Sequence, residues 1–189
     1  MSARTGRWAA AALVSAVLLA GCGGDGDDPT VQATEATPTA AAPATPCDDV
    51  PEVQEPRPST STDLAVQPVV EPSEELPPCG LVVRDVVVGE GAEVVEGVQV
   101  QARYVGAFYE TGEVFDASWR RGPASTLPFQ AGGGNLIPGF DQGVLGMREG
   151  GRREIVIPSE LGYGPTGQGP IPPNSTLVFV IDIVSAAAS

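Results

Sequence analysis

Residues 81–189 are predicted to form an α+β domain, in which an antiparallel sheet is covered on one face by a single short helix. Three observations predict this class. Several short segments alternate apolar and polar residues with the two-residue period of half-buried strands. Only one segment has convincing helical spacing, and turns rich in glycine separate the strands. This part of the chain also holds nine of the ten aromatic residues, which are needed for a core.

The predicted strands follow from alternation and from turn residues. Residues 81–88 form an apolar run that ends at a glycine turn, and residues 98–104 alternate apolar with polar side chains. Residues 109–113 supply a turn, so the strand that resumes at 114–116 is expected to pair with the one before it. Further strands are predicted at residues 127–129, 154–157 and 177–184, the last with Leu177, Phe179, Ile181 and Ile183 on one face.

The predicted helix begins at Pro138, since proline suits the first helical position. Phe140 and Val144 are four residues apart and therefore share a face with Leu145. Gly146 is expected to end the helix because glycine tolerates the left-handed backbone of a helix terminus.

Residues 1–21 are predicted to be a signal peptide. Arg4 and Arg7 precede an apolar run of 13 residues, which is shorter than the roughly 20 residues that a spanning helix needs. The run ends in Leu-Ala-Gly-Cys, which resembles the bacterial lipoprotein box, so Cys22 is the expected site of lipidation. The alternative is an ordinary secretory signal with a chance cysteine.

Residues 22–80 are predicted to be the lipidated cysteine followed by a disordered linker. Residues 23–80 contain eleven of the nineteen prolines, twelve acidic residues, one basic residue (Arg57) and no aromatic residue. Such a segment cannot bury enough apolar surface to offset the entropy of ordering. An exported chain meets an oxidising compartment, so Cys47 and Cys79 are candidates for a disulfide, the alternatives being two free thiols or intermolecular pairing.

Composition excludes several classes of chemistry. The net charge of −14 disfavours nucleic acid and anionic membrane surfaces as electrostatic partners. The chain has no histidine and no lysine, which removes histidine general bases and lysine Schiff bases. With three cysteines and no histidine, a metal site is not expected, and no cofactor is implied.

Three motifs occur in a fixed order within residues 81–189: YVGAFYETGEVFDAS, LIPGFDQGVLGMREGGRREIVIPSELGYG and IPPNSTLVFVIDIV. Together they resemble the FKBP-type peptidyl-prolyl cis–trans isomerases. The resemblance implies a five- or six-stranded antiparallel sheet wrapped around one short helix, and prolyl cis–trans isomerisation as the activity. It also implies proline-containing polypeptides as substrates, macrolides of the FK506 type as inhibitors, and a monomer without a cofactor.

The resemblance also assigns the site residue by residue. Tyr163, Asp116 and Tyr104 match the positions implied to act in catalysis, and Arg121 matches the polar partner of Asp116 at the pocket rim. Phe140 stands where many members have tryptophan, and Gln168 where some have histidine. The implied substrate-binding set is Phe115, Phe129, Leu136, Ile137, Phe140, Ile171, Phe179 and Arg121.

The loop between residues 157 and 177 is crowded with glycine and proline. Prolines restrict such a loop and glycines allow its tight bends. Given the resemblance, we expect it to present Ile171 as an apolar wall and Tyr163 as a hydrogen-bond donor above the pocket. The alternative is a plain surface turn in which Tyr163 only packs.

Three interpretations of the function remain open at this point. The first is an isomerase held outside the cytoplasmic membrane by lipid and linker, which assists the folding of exported proteins. The second is a non-catalytic adaptor that uses the same pocket to bind prolyl segments. A third interpretation is that the acidic linker itself is the interaction element.

Overall fold

The computed structural model describes residues 51–187, in seven strands, one α-helix and two short 3₁₀ turns. The signal peptide, Cys22 and Cys47 lie outside these residues. The strands are β1 (Glu52–Val53), β2 (Val82–Val87), β3 (Gln99–Phe108), β4 (Val114–Ala117), β5 (Leu127–Gln130), β6 (Arg152–Ile157) and β7 (Leu177–Ala187). The helix α1 is Pro138–Val144, and the 3₁₀ turns are Ser118–Arg121 and Ser159–Leu161.

One sheet contains all seven strands, in the order β1-β2-β6-β7-β3-β4, with β5 pairing to β3. Every pair is antiparallel except β1 with β2, which is parallel. Strands β2 to β7 therefore confirm the predicted antiparallel sheet, and β1 is an additional strand that the sequence did not predict.

The two faces of the sheet carry two separate cores. Along β7, Leu177, Phe179, Ile181 and Ile183 lie on the face that packs against α1, which confirms their predicted shared face. We call this the helix face. Val178 and Val180 point to the opposite side, the far face, together with apolar residues of β2, β3 and β6. Because successive side chains of a strand alternate, one strand contributes to both cores.

The helix begins and ends as predicted. Ile137 is its N-cap, Pro138 lies in its first turn, and Gly146, with φ of +75°, follows the C-cap Leu145. Two helical glycines, one turn apart, bring α1 very close to β6. A Cβ on Gly139 would lie 2.4 Å from Cγ2 of Ile157.

At the second glycine the approach is equally tight, since a Cβ on Gly143 would lie 2.5 Å from Cδ1 of Ile155. Because Gly139 and Gly143 have no Cβ, the helix can pack this close to the sheet. This close packing positions the cavity residues at the start of the helix, such as Ile137 and Phe140.

Residues 51–73, which we call the strap, pack against the sheet, so the prediction of a disordered linker over residues 22–80 is wrong for this part. Residues 22–50 of the predicted linker lie outside the described residues. The strap begins beside β2, where the amide of Glu52 donates to the carbonyl of Leu81 (2.7 Å). It ends at the β3–β4 hairpin, where the amide of Ser73 donates to the carbonyl of Tyr109 (3.0 Å). Between these ends, Val70 is 6% exposed and packs into the far-face core.

Hydrogen bonding to buried charges, more than apolar burial, holds the strap in place. Arg152 is fully buried and pairs with Asp182 through two hydrogen bonds of 2.5 and 2.8 Å. The remaining guanidinium hydrogens are donated to strap carbonyls, namely Ser61 (2.6 Å), Asp63 (3.2 Å) and Val66 (3.1 Å). A buried cation is tolerated only when its donors are satisfied, and here the strap backbone satisfies them.

A second buried charge, Glu154, is satisfied in the same way. Its carboxylate accepts from Arg84 (2.8 Å) on β2 and from the hydroxyl of Thr60 (3.4 Å) on the strap. Arg57 of the strap adds an ion pair at 3.2 Å. The strap has few apolar residues, but it is held against the sheet because its polar atoms form hydrogen bonds and ion pairs with buried charges of the sheet.

Two further findings concern the predicted linker and anchor. Cys79 is disulfide-bonded, and the predicted pairing with Cys47 involves a residue outside the described range. Among residues 51–187, no helix has the length and apolar character needed to cross a bilayer.

Candidate active site

A cavity of about 690 Å³ lies between the helix face of the sheet, the start of α1 and the 157–177 loop. Its lining contains seven of the predicted apolar and aromatic site residues: Tyr104, Phe115, Leu136, Ile137, Phe140, Tyr163 and Phe179. Ile171 lines an adjoining cavity of about 300 Å³ that shares Phe115, Asp116 and Tyr163 with the first. Phe129 lines neither cavity but packs behind Phe140.

The aromatic rings form a connected cluster around Phe179. Its ring centroid lies 5.4 Å from that of Phe140 and 5.7 Å from that of Phe115, both edge to face, and 6.2 Å from that of Tyr104. Phe129 meets Phe140 edge to face at 5.6 Å. Edge-to-face contact is a favoured arrangement because the positive ring edge meets the negative face. The cavity walls are therefore fixed by mutual packing.

Gly106 of β3 makes this packing possible. A Cβ at this position would lie 2.8 Å from atoms of both the Phe115 and Phe179 rings. Any side chain there would push the two rings apart or into the cavity. Our sequence analysis missed Gly106, although an isolated glycine inside a strand pattern is a known sign of close approach.

The polar side of the cavity is built on Asp116. The Tyr104 hydroxyl donates a hydrogen bond to Oδ2 of Asp116, and the amide of Ala117 donates to Oδ1 at 2.8 Å. The backbone of Tyr104 is in turn held by the hydroxyl of Ser118, a fully buried residue that our sequence analysis did not single out (3.0 Å). The predicted association of Tyr104 with Asp116 is thus present.

Burial is the largest cause of a raised pKa for the Tyr104 phenol, and its hydrogen bond to Asp116 adds to the rise. Arg121 opposes this shift through a hydrogen bond and its positive charge, so the guanidinium acts on the same hydroxyl. Arg121 does not itself line the cavity. It lies at the rim and influences the site through Tyr104.

Tyr163 is half-buried, and its pKa is raised first by burial and then by the negative charge of Asp116. A raised pKa favours the protonated phenol, so the hydroxyl is a hydrogen-bond donor throughout the neutral range. Within residues 51–187 this hydroxyl has no hydrogen-bond partner. It is therefore available to a ligand in the cavity.

The 157–177 loop is stiffened as predicted. Gln168 and Ile171 exchange two backbone hydrogen bonds of 3.0 and 2.9 Å, which close a tight turn. Gly167, with φ of +65°, lies under this turn, and a Cβ on it would be 2.3 Å from the carbonyl oxygen of Ile171. The turn holds the Ile171 side chain at 7% exposure beside Tyr163.

Several lining residues were not predicted. Leu127, Asn135, Pro138, Glu160 and Thr166 line the main cavity together with residues of the 157–177 loop. They lie on segments that are distant in sequence, so no local pattern marks them. Among the described residues, no group of three or more histidine, cysteine, aspartate or glutamate side chains could hold a metal ion.

The fold and the site define a class of protein: a mostly antiparallel sheet packed against one short helix, with an aromatic cavity lined by phenols and a carboxylate. Residues 90–184, just over half of the chain, match the family model of the FKBP-type peptidyl-prolyl cis-trans isomerases. The chain therefore belongs to this family of enzymes. The strap lies outside the matched residues.

Relatives and solved structures agree with this assignment. The chain is 48% identical over 120 residues to a "Probable FK506-binding protein" of Corynebacterium glutamicum, covering 61% of this chain and 98% of that protein. The crystal structure of AtFKBP13 matches with a TM-score of 0.53 and 42% identity, covering 59% of this chain and 97% of that one. FkpA from Escherichia coli matches with a TM-score of 0.53 and 36% identity, covering 64% and 52%.

Proposed function

We propose that this isomerase acts on X–Pro bonds of exported polypeptides and assists their folding outside the cytoplasmic membrane. The aromatic cavity, with the Tyr163 hydroxyl available at its edge, is the observation that supports the activity. The predicted signal peptide and lipidation site at Cys22 support the location.

The proposed reaction is rotation about one amide bond, the bond that precedes proline. Resonance keeps that bond planar, with a barrier of roughly 18–20 kcal/mol. An enzyme needs only to bind the twisted amide better than the planar one. A thousandfold acceleration requires about 4 kcal/mol of such preference.

The apolar walls supply part of that preference. They hold the proline ring and remove water from the amide, whose planar form is the more polar. As resonance is lost, the carbonyl oxygen becomes less negative, so apolar surroundings favour the twisted form.

The polar groups orient the substrate. Tyr163 donates a hydrogen bond to a substrate carbonyl next to the proline. Asp116 holds the Tyr104 hydroxyl and faces the carbonyl carbon. No nucleophile, metal or cofactor takes part, because no covalent bond is broken.

The purified chain is expected to accelerate cis-to-trans exchange of a peptide with an apolar residue before proline. Tyr163→Phe is expected to lower kcat/KM by about two- to twelvefold, since one neutral hydrogen bond contributes about 0.5–1.5 kcal/mol. Protease-coupled or NMR exchange measurements give both values.

Tyr109→Phe is the matched control for this experiment. Tyr109 is buried in the far-face core, so its variant is expected to keep the wild-type rate. A macrolide of the FK506 type is expected to abolish the acceleration by filling the same cavity. A wild-type rate equal to that of buffer would contradict catalysis and favour the adaptor function.

We further propose that the protein is a monomer held at the cell membrane by lipid on Cys22, and that Cys47 is the disulfide partner of Cys79.

In the native host, the wild-type chain is expected to incorporate labelled palmitate and to sediment with membranes. Cys22→Ser is expected to lose both properties, because two or three acyl chains are needed for firm attachment. Cys47→Ser is the control, and its membrane fraction is expected to be unchanged. Equal sedimentation of both variants would contradict the anchor.

A further inference from the structure

A second large cavity adjoins the active site. It has a volume of about 610 Å³ and lies between residues 77–80, which connect the strap to β2, the β3–β4 turn and the 3₁₀ turn Ser159–Leu161. Its lining combines apolar groups such as Pro78, Pro158 and Leu161 with polar side chains such as Asn174 and Thr176. An extended peptide needs such a mixture, because its side chains and its backbone must both be accommodated.

Glu160 is the residue that the two cavities share. It lies three residues before Tyr163, within a compact turn. The amides of Leu161 and Gly164 donate to the carbonyls of Pro158 (3.0 Å) and Ser159 (2.8 Å), which fixes this turn. The backbone at Glu160 is therefore fixed where the two cavities meet, and Glu160 borders both of them.

The carboxylate of Glu160 has no charged partner within residues 51–187. It is exposed, and within residues 51–187 it makes neither a hydrogen bond nor an ion pair. No arginine lines either cavity, although Arg121 acts on the Tyr104 hydroxyl beside the first one. Asp116 and Glu110 add further negative charge to the two linings. The described ion pairs of the sheet, such as Arg153 with Asp85, lie away from the cavities.

We propose that Glu160 selects prolyl substrates that carry a lysine or arginine within a few residues of the proline. The carboxylate attracts that cation where the peptide chain leaves the aromatic cavity toward the second one. A glutamate at the same place in the substrate is repelled. This inference rests on the proposed isomerase activity and names the substrate class of that site.

The test compares peptides that share one apolar X–Pro core. Lysine, glutamine or glutamate is placed at each of the second to fourth positions on either side of the proline. At one or more positions on one side, kcat/KM is expected to rank lysine above glutamine above glutamate. The expected ratio of lysine to glutamine is about two- to fivefold at low salt, as for other partly exposed ion pairs, and it falls as salt is added.

In Glu160→Gln, the ratio of kcat/KM for the lysine peptide to kcat/KM for the glutamine peptide is expected to fall to about one. A ratio taken within one enzyme cancels any change that the substitution makes to the basal rate. Glu90→Gln is the matched control. It makes the same change in net charge but lines neither cavity. Glu90 follows the end of β2 that pairs with Arg152, whereas Pro158 follows the other end of β6.

Three results would overturn the proposal: no ranking in the wild type, a ranking that survives in Glu160→Gln, or an equal loss in Glu90→Gln. Failure of the isomerase activity itself is distinguishable, since it would abolish turnover of every peptide, including the uncharged one.

Discussion

Replacing Arg152 by alanine is expected to lower the free energy of unfolding by about 3–5 kcal/mol, because it leaves a buried carboxylate without its main partner. Asp182 is 2% exposed and would lose two hydrogen bonds. Arg103, whose guanidinium lies 3.7 Å from Asp182, would compensate only in part. Three strap carbonyls would also lose their donor. Urea unfolding of the wild type and the variant measures the difference.

Arg148→Ala is the control for this prediction. Arg148 forms an ion pair with Glu93 at 2.7 Å, but both side chains are nearly half exposed. Exposed pairs contribute about 0–1 kcal/mol, so this variant is expected to unfold close to the wild type. Because the strap depends on Arg152, limited proteolysis is also expected to cut within the strap faster in Arg152→Ala. Equal losses in the two variants would show that burial of the charge is not what matters.

Phe179→Ala is expected to cost about 3–5 kcal/mol of stability, the usual range for removal of a buried aromatic ring. Phe179 is 5% exposed and contacts three other rings of the cluster. The same change removes one wall of the main cavity, so kcat/KM is expected to fall by about tenfold or more even where the variant is fully folded. Thermal unfolding and the peptide assay, run below the transition, separate the two effects.

Two variants on the same strand test the specificity of that result. Val184 is 43% exposed, and Val184→Ala is expected to change stability by less than about 0.5 kcal/mol. Phe179→Leu keeps apolar volume but loses the edge-to-face contacts, so an intermediate loss of about 1–1.5 kcal/mol is expected. Full activity in folded Phe179→Ala would mean that the aromatic wall does not contact the substrate.

The parts of the fold that were predicted from sequence are those encoded by local patterns. The start of α1 at Pro138 and the shared face of Leu177 and Ile181 follow from helix capping and from strand alternation, which involve neighbouring residues. The site residues were placed by the order of three motifs. The structure brings most of them to one cavity, with Phe129 behind it and Arg121 at its rim.

The strap shows why composition alone misled. Its own residues lack the apolar surface that ordering usually requires, and in that respect the sequence argument was sound. The stabilising partners are Arg152 and Glu154, which lie more than 85 positions away in the sequence. Arg152 lies before the strand predicted at residues 154–157, and Glu154 at its start has the polar side chain of an ordinary exposed position. Nothing local shows that their charges are buried and completed by a distant segment.

By itself, the sequence determined the class of sheet, the position of the helix, and the aromatic and phenolic residues that build the cavity. Only the tertiary structure decided that the strap covers the far face, that Gly106 leaves room for two rings, and that Glu160 lies between two cavities. The reason is that periodicity and capping are properties of neighbouring residues. The other features depend on segments that meet only after folding. These features are the hydrogen bonds to a buried charge, the close approach of a backbone to aromatic rings, and the position of a residue between two cavities.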